Sequence, residues 1–234
     1  MKRRKFTAAL WLPALPVLHV LPTLALLPTS AHAGLSEGDA ASGVRAVLER
    51  GALAAVSLLG TTDGFLGNPQ VRIPLPGFLQ DASRLLRATG QGRRLDELVT
   101  AMNRAAEAAV PMATPLFVST VKAMSVEDAL LVVRGGATSV TDYFAGKTRA
   151  PLAEKFLPIV TRATEKVSLA ARYNAIAGKV QGLGLLKGDE GNVQQYVTRR
   201  ALDGLFLMIG EEEKKIRADP FRTGSAILKK VFGG

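Results

Sequence analysis

The sequence predicts an all-α protein: a single multi-helix, bundle-like domain with one long irregular loop from Gly60 to Pro76. Two observations carry that prediction. Apolar residues recur about every 3.6 positions from one end of the body to the other, the spacing that gathers them on one face of a helix. No run of β-branched or aromatic residues alternates as a half-buried strand would.

The segment before the first helix has a different character. Lys2, Arg3, Arg4 and Lys5 form a cationic head, and an apolar run follows through Trp11, Leu15, Leu18, Leu21 and Leu27. Ala31-His32-Ala33 ends it with small residues around a cleavage position, so residues 1–33 are expected to be a signal peptide cut before Gly34. Pro13, Pro16, Pro22 and Pro28 argue against a spanning helix, because each interior proline removes a backbone donor and clashes with the preceding turn. Arg3-Arg4-Lys5-Phe6 matches part of a twin-arginine signal, but Thr7 departs from it and the general secretory route is preferred. The expected location is the periplasm.

The helices follow in order. Ser36 with Asp39 three positions on caps the first, Val44, Val47, Leu48, Ala55 and Leu59 form its apolar face, and Gly60 stops it. In the loop that follows, Asp63-Gly64 and Asn68-Pro69 are turn signals. Phe65, Leu66, Val71 and Ile73 are placed to plug the bundle; the alternative is a loop that contacts a ligand. A helix is expected over about Gly77 to Ala88, and another from near Arg93, with Leu95, Leu98, Met102, Ala105, Ala106 and Ala109 on one face. Pro111 and Pro115 break it and restart it through Phe117 and Val121.

Ser125 with Asp128 caps the next helix, and Gly135-Gly136 ends it. Tyr143 and Phe144 suggest a short helix. Thr148 is expected to cap another, which carries Leu152, Phe156 and Val160 and is kinked at Pro158. Beyond a helix over Leu169 to Val180 and a glycine-rich turn (Gly182-Leu183-Gly184, Gly188 to Gly191), Asn192 caps a helix to about Ile216. Leu205, Phe206, Leu207, Met208 and Ile209 make that helix apolar all round, the mark of a central one. Asp219-Pro220 starts the last segment, which returns Leu228 and Val231 to the body.

Composition excludes much chemistry. His19, His32 and Trp11 all lie before Gly34 and there is no cysteine, so the body cannot build a Ser-His-Asp or Cys-His triad, an ordinary zinc site or a His-ligated haem. Neither a lipid-anchored cysteine nor a disulfide framework is available. No metal and no cofactor is expected. Four of the 30 basic residues precede Ala33, leaving 26 against 20 acidic ones and a net charge of about +6 on the body. That charge suits weak attraction to anionic lipid headgroups and does not by itself indicate nucleic acid, which is not an expected partner.

Among acidic residues, Glu211-Glu212-Glu213 reads as a solvated helix face, since Glu211 with Lys215 and Glu213 with Arg217 are favourable i, i+4 pairs. Asp203 falls beside an apolar stretch, and a buried ion pair with Arg199 or Arg200 is expected for it. Gly188 to Asn192 lacks the alternating oxygen ligands of a calcium loop.

Five separated motifs occur in order: Thr62-Asp63-Gly64-Phe65-Leu66-Gly67-Asn68-Pro69, Ile73-Pro74-Leu75-Pro76, Met102-Asn103-Arg104-Ala105-Ala106-Glu107, Ala201-Leu202-Asp203-Gly204-Leu205-Phe206, and Ile216-Arg217 with Asp219-Pro220. In these the chain resembles the exported proteobacterial proteins grouped as a domain of unknown function, DUF4197. The resemblance implies an extracytoplasmic helical domain and brings no activity, ligand or catalytic residue with it.

The expected function is a non-catalytic binding or interaction module, with an envelope lipid or a protein as partner. Asp63, Asn68, Arg72, Asn103, Glu107 and Asp203 are its candidate binding residues. The alternative is a carboxylate-dependent hydrolase or transferase of the cell envelope, using Asp63, Glu107 and Asp203.

Overall fold

The computed structural model describes residues 35–127, 129–182 and 192–233 of the chain. The expected signal peptide, Asp128 of the Ser125 cap and the turn at Leu183 to Gly191 lie outside them. Among the described residues the protein is all-α, with nine helices and no strand. They are α1 (Glu37–Leu59), α2 (Gly77–Ala88), α3 (Gly92–Met112), α4 (Thr114–Ala123), α5 (Ala129–Arg134), α6 (Ser139–Lys166), α7 (Leu169–Gly182), α8 (Val193–Ala218) and α9 (Ala226–Phe232), with a 3-10 turn at Pro220–Thr223.

Local chemistry sets most boundaries. Ser36 accepts the Asp39 N–H at 3.1 Å and donates its hydroxyl to the Asp39 carboxylate at 2.7 Å, which starts α1. Asn192 caps α8 by accepting the Gln194 N–H at 2.9 Å. Asp219 accepts the Arg222 N–H at 3.2 Å ahead of Pro220.

Helix α8 is the hub, packed on α1 and α6 and also touching α3 and α9. Gly51 lets α1 approach it, since a Cβ there would stand 3.0 Å from Ile209 Cγ2. Phe117 meets Phe156, and Phe144 meets Phe206, each edge to face. Burying each such ring stabilises the fold by roughly 1.5–3 kcal/mol.

Three expectations are corrected. Residues 139–166 form one helix, not a short one at Tyr143 followed by a second capped by Thr148. Val140, Phe144, Thr148, Leu152, Phe156 and Val160 recur every fourth residue as a single buried stripe, and that shared burial outweighs the break signals. Thr148 donates to the Phe144 carbonyl at 2.6 Å instead of capping. Pro151 and Pro158 lie on the exposed side, where water can serve the carbonyls left without a partner.

The second concerns the circumference of α8. Leu205, Phe206, Met208 and Ile209 are buried, but Leu207 is 40% exposed. It borders a small cavity beside the long loop, so α8 is packed on all sides but one.

The third concerns the acidic triplet. Glu211 pairs with Lys214 at 2.7 Å rather than with Lys215, and Glu212 pairs with Lys215 and Arg50. Glu213 does pair with Arg217 at 2.8 Å, yet it is fully buried. Its carboxylate accepts the Val140 and Thr141 N–H groups at 3.0 and 2.8 Å and the Thr141 hydroxyl at 2.7 Å, so it caps α6 from a different helix. Arg217 donates in turn to the Val133 carbonyl at 2.7 Å at the end of α5. Each charge thus meets the helix end of opposite polarity, and sequence spacing alone cannot distinguish that from a solvated pair.

Candidate functional site

The long loop is held by one face of α3. Asn103, fully buried, accepts the Ile73 N–H at 2.8 Å and donates to the Ile73 carbonyl at 2.9 Å and the Val99 carbonyl at 2.8 Å. It pairs with the loop backbone as a neighbouring strand would. One turn on, buried Glu107 accepts the Phe65 and Leu66 N–H groups at 3.1 and 3.0 Å. Arg104 links Glu107 at 2.6 Å to Asp63 at 2.8 Å, and these bonds, Glu107 first, raise the guanidinium further above its usual range. Asp63 has φ +65°, a left-handed conformation costly for most residues and tolerated by Asp.

The staple drives Phe65 into the core. A Cβ at Gly204 of α8 would lie 2.8 Å from Phe65 Cε1 and 3.3 Å from Val71 Cβ, so only glycine admits the loop there. The separated motifs at 62–69, 102–107 and 201–206 therefore meet at one place. Asn68 shapes the tip, with its side chain accepting the Gln70 N–H at 3.1 Å and its carbonyl the Arg72 N–H at 2.9 Å. Of the six candidate binding residues, Asp63, Asn103 and Glu107 hold the loop to α3 and Asn68 forms its turn.

The side chains of Arg72 and Asp203 take no part in the staple and border the cavity beside the loop. Asp203 is half-exposed, not buried, and its main partner is Arg149 of α6, with Arg200 at 4.0 Å. The expected burial fails because residue 203 lies on the solvent side of α8, one step from the helix face that holds Leu202 and Gly204. There it borders an open groove of about 760 Å³ between α6 and α8, a size within the range of small-molecule sites. Ala145, Gly146, Ala150, Ala153 and Leu202 make the groove largely apolar. Arg149, Arg199 and Arg200 supply its positive charge and Asp203 its one carboxylate. Arg200 and Asp203 also line a second cavity of about 200 Å³, shared with Arg72 and Leu207.

Two of these arginines are fixed in place. The Arg149 guanidinium stacks 4.7 Å from the Phe206 ring centre. Arg200 donates to the Tyr196 hydroxyl at 3.4 Å, and that hydroxyl donates to the Pro74 carbonyl at 3.0 Å, so the groove is tied to the end of the loop. The Arg199 side chain is exposed and makes no ion pair or hydrogen bond among the described residues. Sequence reading passed over Arg149 and Tyr196. For Arg149 the signal was the stripe Gly146, Ala150, Ala153 on α6, an i, i+4, i+7 face without a large side chain and with Arg149 beside it, whereas Tyr196 on α8 carried none.

These features define a helical body that staples a loop into its own core and leaves an arginine-lined groove on its surface. The chain belongs to the family described as Protein of unknown function (DUF4197), whose model matches residues 34–233. No curated protein and no solved structure matches it.

Proposed function

We propose that the chain is an exported, non-catalytic binding module of the cell envelope, and that the α6–α8 groove is the surface with which it takes an anionic partner. The observation that carries this reading is the charge of the groove: Arg149, Arg199 and Arg200 surround a single carboxylate, Asp203. An excess of guanidinium groups over an apolar lining suits a ligand with an acidic head, since arginine offers a planar fork of donors to carboxylate or phosphate.

The state of the carboxylates supports binding over hydrolysis. Asp63 and Glu107 share Arg104, Glu107 also holds two backbone N–H groups, and Asp203 holds Arg149. General acid–base work needs a carboxyl group free to reach its substrate. Export is supported by the cationic head and apolar run of residues 1–33, and by a family match that begins at Gly34.

Native mass spectrometry of the protein purified gently from its own periplasm tests the reading. An acidic adduct is expected on the wild-type protein and should be lost from the Arg149→Ala, Arg199→Ala double variant. An adduct that survives in the double variant would place the ligand elsewhere.

A further inference from the structure

Resting on the reading above, we propose that the groove takes an anionic phospholipid, its phosphate on Arg149, Arg199 and Arg200 and an acyl chain along the alanine floor of α6. The charge sets the head. Three arginines face one aspartate in the groove, and Arg72 adds a further positive charge in the adjoining cavity. Arg149 and Arg200 are pre-positioned by Phe206 and Tyr196, while Arg199 is free to turn towards a ligand.

The floor sets the tail. Both walls are helices that pair their backbone groups internally except for the two α6 carbonyls opposite Pro151 and Pro158, and the side chains of Ala150 and Ala153, like the bare Gly146, present no polar atom. An extended peptide laid there would bury its own N–H and C=O groups without partners. A hydrocarbon chain needs none, and it removes apolar surface from water. The space is real: a Cβ on Gly146 would meet nothing within 4 Å.

Asp203 has a defined part in this arrangement. It bridges Arg149 and Arg200, the position a phosphate would take, and so acts as a resident anion that the lipid head must displace. Removing its charge therefore favours the ligand.

Flotation with vesicles tests the assignment. Wild-type protein should bind an equal mixture of phosphatidylglycerol and phosphatidylcholine and ignore phosphatidylcholine alone. Arg199→Ala should weaken binding about fivefold, the contribution of one basic side chain at an anionic membrane. Asp203→Asn should strengthen it. Ala150→Trp, which fills the floor without altering charge, should weaken it by a similar factor, with circular dichroism confirming that each variant folds.

Arg93→Ala, at a 91% exposed side chain on α3, serves as the control. A loss equal to that of Arg199→Ala would overturn the proposal in favour of diffuse surface charge. Wild-type binding by Ala150→Trp would remove the acyl chain from the groove. Capture by immobilised polyglutamate in place of vesicles, with the same dependence on Arg199, would overturn the lipid while leaving the anion-binding module standing. Binding to neither probe would sink both.

Discussion

At the scale of single residues, the side chains that carry the most consequence are buried polar ones. Glu213 has no contact with water and satisfies two backbone donors, a hydroxyl and Arg217 at once. Glu213→Ala should destabilise the protein by about 3–5 kcal/mol, because it leaves Arg217 without its counter-charge and the Val140 and Thr141 N–H groups buried without an acceptor. Urea denaturation measures the change, and adding Arg217→Ala should cost less than the same substitution costs in the wild-type chain, since the two charges are coupled. Gly204 matters for the opposite reason, the absence of a side chain where Phe65 enters the core. Gly204→Ala should cost about 1–3 kcal/mol by forcing Phe65 aside; Phe65→Leu in the same chain should recover part of the loss in a thermal melt, because it withdraws the ring edge that the new methyl meets.

At the scale of elements, the first and last described helices are joined through charge. Asp39 in the first turn of α1 accepts from Lys230 of α9 at 2.8 Å. That bond, followed by the one from Ser36, holds the Asp39 carboxyl below its ordinary value. The group thus binds protons more weakly folded than unfolded, so its stabilising effect is complete above the ordinary carboxylate value and fades as pH falls through the lowered one. The melting temperature of Asp39→Asn should therefore lie below wild type at neutral pH, and the gap should close in acid. A gap that persists in acid would mean that the ion pair contributes nothing. The helices themselves were legible where caps and prolines mark them, as at Ser36, Gly60, Pro111 and Asn192. Residues 139–166 were misread because Thr148 is a residue type that caps helices, and only the burial of Val140 through Val160 against α3 and α8 overrides that signal.

At the scale of the whole molecule, the division before Gly34 matters most. If the chain is exported to the periplasm and residues 1–33 are removed, intact-mass measurement of the mature protein should give a chain beginning at Gly34, and a retained Met1 would overturn that expectation. No helix among the described residues is long and apolar enough to cross a membrane.

By itself the sequence determined the all-α class, most helix boundaries and the absence of histidine and cysteine chemistry from the body, because periodicity, capping and composition are local properties. It also singled out the loop motifs, though not their purpose. Only the tertiary structure decided that Asn103, Arg104 and Glu107 staple that loop to α3, that Glu213 is buried, and that Asp203 faces solvent across from Arg149. These are relations between residues tens of positions apart, and each depends on which face of one helix meets which face of another. The α6–α8 groove is of the same kind: its alanines and arginines are unremarkable along the chain, and become a site only where two helices bring them together.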